Sequence, residues 1–152
     1  MTLAIVRPDS WNFPLLLHVL GAMVFTALLA ALAVILVVSL RGGSDRRDAL
    51  LLSFRVFSVG IVPSYLLMRI TAEWILSKEN ADEDAAWITI GFIATDLGLL
   101  VLIIVGVLLG ISVRRLKKDR EPGRLARPAM VLTMLLIATY AVALWAMTTK
   151  PA

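Results

Sequence analysis

The sequence predicts an all-α fold: a polytopic membrane four-helix bundle with both termini outside. Three observations predict it. The 152 residues are 60% hydrophobic and 17% charged, with a mean hydropathy of +0.90, whereas a soluble domain is nearer half apolar and a quarter charged. The apolar residues gather into four runs, each near or above the ~20 residues that cross a bilayer. The charges between the runs alternate in sign from loop to loop.

The first run covers about 13–40, "FPLLLHVLGAMVFTALLAALAVILVVSL". The second covers about 49–76, the third about 87–113 and the fourth about 129–148. In hydrocarbon each must be a helix, because its backbone groups find no water. Continuous apolar runs also exclude a β-barrel, whose strands alternate. The first three are long enough to tilt or to project beyond the hydrocarbon. Pro63 lies near the middle of the second and predicts a kink with a freed carbonyl. The whole chain, 1–152, reads as a single transmembrane domain. The first run is too long for a cleavable signal peptide and no small-residue cleavage site follows it.

Orientation follows from the loops. Segment 41–48, "RGGSDRRD", holds Arg41, Arg46 and Arg47. Segment 114–128 holds Arg114, Arg115, Lys117, Lys118, Arg120, Arg124 and Arg127. The loop between helices two and three, "SKENADEDAA", has four acids and one lysine. By the positive-inside rule both basic loops are cytoplasmic, as in a bacterial plasma (inner) membrane. Trp11, Trp74, Trp87 and Trp145 all fall at the predicted outer ends, where indoles favour the interface. The net charge of +4 is thereby a matter of topology, and nucleic acid is not an expected partner.

Small residues suggest packing faces. Helix one has Ala22, Thr26 and Ala30 at four-residue spacing, with Gly21, Ala27 and Ala31 beside them; helix three has Gly106 and Gly110. Such spacing lets membrane helices approach closely, within one bundle, in a homodimer or against partner subunits.

Charge inside the spans is the other signal. "MRITAEW" places Arg69 and Glu73 one turn apart in helix two, and with Arg55 they form one polar stripe, allowing for the Pro63 kink. Helix three adds Asp96, helix one the sole histidine, His18, and helix four Tyr140. At 1.5 Å per residue, Glu73 lies roughly 5 Å from the outer end, His18 about 7 Å, Arg69 and Tyr140 about 10 Å and Asp96 about 14 Å. The expectation is a buried polar cluster of His18, Arg69, Glu73, Asp96 and Tyr140 in the outer half. It reads either as a salt-bridged clasp or as a small polar cavity. No catalytic residue or metal site is expected. The chain has no cysteine, which removes thiolate chemistry, and it lacks G-x-S-x-G, P-loop and H-E-x-x-H motifs.

At "LLLHVLGAMVF" the chain resembles a group of compact four-helix bacterial membrane proteins that open with leucine–histidine, a small residue and an aromatic. The group includes an uncharacterised family of about this size, the CopD-like copper-resistance proteins and the HemJ-type protoporphyrinogen oxidases. "WITIGFIATD" and "ALWAMTTKP" look most like the uncharacterised family. The resemblance implies a functional histidine in helix one, matched by His18, and hence a haem or porphyrin ligand. A second axial ligand would be Met68, Met147 or a symmetry-related His18. The chain departs from the HemJ-type pattern at Phe25, where tryptophan is usual, and in having no lysine within a span.

Three functions are thus expected. The first is a non-enzymatic membrane protein acting as an accessory or structural subunit. The others are a haem-binding redox protein using His18, and a small ion- or proton-coupled transporter built on Arg69, Glu73 and Asp96.

Overall fold

The computed structural model describes residues 12–41, 45–79, 86–118, 120–121 and 124–149. All its regular elements are helical: α1 (Asn12–Leu40), α2 (Arg46–Arg55), a π-helical segment (Val56–Ile61), α3 (Val62–Glu79), α4 (Ala86–Leu116) and α5 (Ala126–Thr149). α2, the π segment and α3 form one continuous second span. Four helices are therefore long and apolar enough to cross a membrane: Asn12–Leu40, Arg46–Lys78, Ile88–Leu116 and Ala126–Thr149. The second and third run further into their basic ends than the apolar runs do. A helix keeps its backbone bonds in water as well as in lipid, so charge ends a hydrophobic run without ending a helix.

The exterior is apolar, unlike that of a soluble bundle, and the core mixes large apolar side chains with a few hydroxyls. The outside carries Leu16, Met23, Val34, Val59, Ile70 and Leu100, while Ser39, Ser53, Ser64, Thr71, Ser112 and Thr133 are buried. Most of these hydroxyls donate back to a carbonyl of their own helix, as Thr133 does to Ala129 at 2.8 Å and Ser112 to Leu108 at 2.8 Å. This satisfies the hydroxyl where no water is available.

Phe25, Leu29, Leu32 and Leu36 of α1 form the centre of the core with Ile61, Tyr65 and Met68 of the second span, Leu102, Val105 and Leu109 of α4 and Leu136 and Tyr140 of α5. The small-residue stripe of α1 lies at the margin of this face: Ala27, Ala30 and Ala31 are exposed and only Gly21 is buried. Large aliphatics fill the core, and Gly21 serves one close crossing. A Cβ there would stand 3.1 Å from the Met68 backbone nitrogen. Gly106 does face the second span, since a Cβ on it would collide with the Phe57 ring at 2.7 Å.

The break at Pro63 takes a particular form. The last N–H before the proline, that of Val62, donates to Phe57 five residues back. Proline offers no N–H to the carbonyls of the preceding turn, and the turn widens into a π segment. Just beyond the proline, Ser64 Oγ donates back to Gly60 O at 2.9 Å and Ile61 O at 3.0 Å. The wide turn also rotates α3 by about 100° against an unbroken α-helix, one residue's worth. Arg55 and Arg69 therefore do not share a stripe, contrary to the expectation from sequence. Arg55 is exposed and makes no ion pair among the described residues.

The same segment changes the partner of the second span. α2 packs on both α1 and α4, whereas α3 packs on α1 and its backbone stays apart from that of α4. α4 packs on α5, and α5 on α1. The ring is closed tightly at the end that carries the basic loops. Leu40, Leu50, Leu116 and Ala126 form a small apolar cluster there, and Arg46 reaches Glu121 at 3.6 Å. Both basic segments thus lie at one end of the bundle. The acidic loop at 80–85, Trp11 and the side chain of Trp87 lie outside the described residues.

Candidate functional site

The seam between α3 and α4, where helix backbones do not pack, is bridged by side chains. Tyr65, Arg69 and Glu73 follow each other at four-residue spacing on α3, as Phe92 and Asp96 do on α4, so each set lines one edge. Arg69 Nη1 pairs with the Glu73 carboxylate, and its Nη2 stands 3.5 Å from Asp96 Oδ1. The guanidinium carbon lies 4.7 Å from the Phe92 ring centroid, a cation–π contact. Below it, the Tyr65 hydroxyl donates to the Thr95 carbonyl at 3.1 Å.

This ion triad stands on the outside of the bundle. The Arg69 side chain is 25% exposed, that of Glu73 53% and that of Asp96 66%. The two acids do not point into a shared interior.

His18 and Tyr140 belong elsewhere. His18 is half-buried, and its Nδ1 lies 3.0 Å from the Met68 carbonyl oxygen. A carbonyl only accepts, so this bond puts the proton on Nδ1. Thr71 Oγ1 donates to the same carbonyl at 3.1 Å. Tyr140 is buried against Phe25, with ring centroids 4.8 Å apart, and its hydroxyl has no hydrogen-bond partner among the described residues. The five residues expected to form one cluster therefore occupy three places: an ion triad on the α3–α4 seam, a histidine clasp on the α1–α3 seam and an aromatic core. The sequence reading missed Tyr65 and Phe92, although both sit four residues before a charge and so share its face.

A histidine with Nδ1 on a carbonyl is the arrangement that leaves Nε2 free to ligate a metal. The surroundings do not suit a haem between the helices. One turn on, at Gly21, the α1 backbone rests against that of Met68. Met68 itself is buried in the core, and the Met147 methyl packs at Gly91 of α4, where a Cβ would meet it at 2.8 Å. Among the described residues no three His, Cys, Asp or Glu side chains come together to hold a metal ion.

Comparison with protein-family models, with curated proteins and with solved structures finds no match. The class of protein is set by the fold alone: a small, all-helical chain with four helices of membrane-spanning length and apolarity.

Proposed function

We propose that the chain is a non-enzymatic accessory subunit of a membrane complex, docking through the face formed by α3 and the outer half of α4. The observation that supports this is the exposed Asp96 carboxylate. It stands ten residues into α4, about 15 Å along the helix, among exposed Ile93, Leu97 and Leu100. A carboxylate facing lipid at such depth costs about 2.5–3.5 kcal/mol on the insertion scale. Arg69 offsets one of the two acids beside it, so the triad keeps a formal charge of −1. A partner helix presenting a cation or hydrogen-bond donors removes that cost. The membrane of this reading is a bacterial plasma membrane, and the Arg/Lys distribution supports segments 41–48 and 114–128 lying in the cytoplasm.

Site-specific photo-crosslinking in native membranes tests this reading. A crosslinker at Ile93 or Leu100 is expected to give a discrete protein adduct that is lost in Asp96→Leu. The same crosslinker at Val34, exposed on α1, gives none. An adduct of twice the chain mass assigns the partner as a second copy. Lipid adducts alone at all three positions would overturn the docking face.

A further inference from the structure

A groove of about 390 Å³ runs along the basic end of α4, between that helix and α2. Its walls are Phe54, Val107, Gly110, Ile111 and Val113, and its rim is Arg114 and Lys117. The groove follows from sequence spacing. Val107, Gly110, Ile111, Arg114, Lys117 and Lys118 recur at three- and four-residue steps and so share one face of α4. That face changes from apolar to cationic within one turn. Gly110 leaves the gap, because a Cβ there would only just touch the Phe54 ring, at 3.8 Å. At Gly106, one turn earlier, Phe57 fills the corresponding space.

We infer that this groove is a binding site for an anionic phospholipid of the leaflet at the basic end. An acyl chain lies against Val107, Gly110 and Ile111, and the phosphodiester sits between Arg114 and Lys117. Charge complementarity selects that occupant. Arg114, Arg115, Lys117, Lys118 and Arg120 are all exposed around the rim, and none has a carboxylate partner among the described residues. The described acid nearest in sequence, Glu121, is engaged by Arg46. A protein helix would fill the apolar wall but leave the cations unmatched. A soluble anion would match the cations but leave the wall facing lipid. Basic clusters beside spans at the cytoplasmic side are a general mode of recognising anionic headgroups. The site is independent of the α3–α4 docking face and rests only on the chain spanning a bilayer.

Native mass spectrometry of the delipidated full chain tests it, with dioleoyl phosphatidylglycerol and dioleoyl phosphatidylcholine as probes. Phosphatidylglycerol is expected to bind at least tenfold more tightly. Arg114→Gln with Lys117→Gln should weaken it by up to about thirtyfold, since each cation near an anionic surface contributes about fivefold. Gly110→Leu keeps every charge but fills the groove, and should weaken it by a similar factor. Arg41→Gln with Arg124→Gln removes the same charge away from the groove and should change little. Glycerophosphoglycerol, the headgroup without acyl chains, should not compete at millimolar concentration. Equal binding of the two lipids overturns the proposal. So does equal loss in the control pair, which would mean unspecific charge attraction, or full competition by the soluble headgroup, which would mean a phosphate site. Alkaline carbonate extraction of the same membranes is read separately. A chain that stays in the pellet yet shows no lipid preference refutes the lipid site while leaving the spanning reading intact.

Discussion

The hydroxyl of Tyr140 lies where a side chain on residue 98 would have to go: a Cβ built on Gly98 would stand 2.8 Å from it. The two residues are fitted to each other across the α4–α5 seam. The hydroxyl gains no hydrogen bond for its burial, and an unsatisfied buried polar group costs about 1–3 kcal/mol. Tyr140→Phe should therefore be neutral or stabilising by about 1 kcal/mol. Gly98→Ala should cost about 1–3 kcal/mol through overpacking. Combining the two should recover part of that loss, because the closest clash is with the hydroxyl itself. Thermal unfolding of the four proteins in one detergent measures the coupling, and strictly additive effects would refute the fit.

The Arg69 triad predicts an asymmetry. Asp96→Asn leaves Arg69 paired with Glu73 and brings the triad to formal neutrality, so in the isolated chain it should be neutral or stabilising. Arg69→Met leaves both acids without their cation and should cost about 2–3 kcal/mol, the scale of an uncompensated charge in a span. Stability in graded detergent denaturation measures both. Equal losses would show that Glu73 and Asp96 are already solvated by water.

His18 is expected to contribute as a clasp. His18→Ala removes the Nδ1 bond to Met68 and should cost about 0.6 kcal/mol and at most about 1.7, the average and the maximum for hydrogen bonds between membrane helices. His18→Asn, which retains a donor, should lose less. An absorption spectrum taken on haem-supplemented protein gives an independent check. A Soret band that depends on His18 would contradict a purely structural role.

The π segment predicts unequal tolerance of deletions. A wide turn holds one residue more than an α-helix needs. Deleting Val59, exposed within it, should let the span close into α-helix with Leu50 and Met68 still facing the core. Deleting Val34, equally exposed but in regular helix, turns everything beyond it by about 100°. Size-exclusion profiles of fluorescent-protein fusions should show a monodisperse peak for the first deletion and aggregation for the second.

The glycines of α4 give a graded series. Gly106→Ala drives a Cβ into a ring at 2.7 Å and should be strongly destabilising. Gly91→Ala meets only the mobile end of Met147 at 2.8 Å and should cost less. Gly110→Ala has room and should be nearly neutral. Melting temperatures that fail to follow this order would count against the packing described.

The four spans were legible because bilayer thickness imposes a length on apolar runs, and nothing else in 152 residues produces four of them. Helix ends were off by up to a few residues, as at Arg46–Asp48 and Arg114–Leu116, where the helix outlasts the apolar run. Pro63 announced a break but not its form, a wide turn in which the Val62 N–H reaches back to Phe57. At the site, the Arg69–Glu73 pair follows from i, i+4 spacing and was legible. The separation of His18 and Tyr140 from that pair and Asp96 was not. His18 bonds a backbone carbonyl, which leaves no mark in sequence, and Tyr140 points inward through a helix rotation that only packing decides. The π segment then removed Arg55 from the stripe on which an unbroken helix would place it.

The uneven closure of the ring has a mechanical consequence. At the basic end, opening the second span from α4 requires unpacking α2 along its length. At the other end, the described ties between α3 and α4 are side-chain contacts, those of Tyr65, Arg69 and their partners. Side-chain contacts of that kind break and re-form without disturbing a single helical hydrogen bond. The bundle should thus behave as a clothes-peg with its pivot near Ile61. Amides of α3 should exchange with deuterated solvent sooner than those of α2, although both belong to one span.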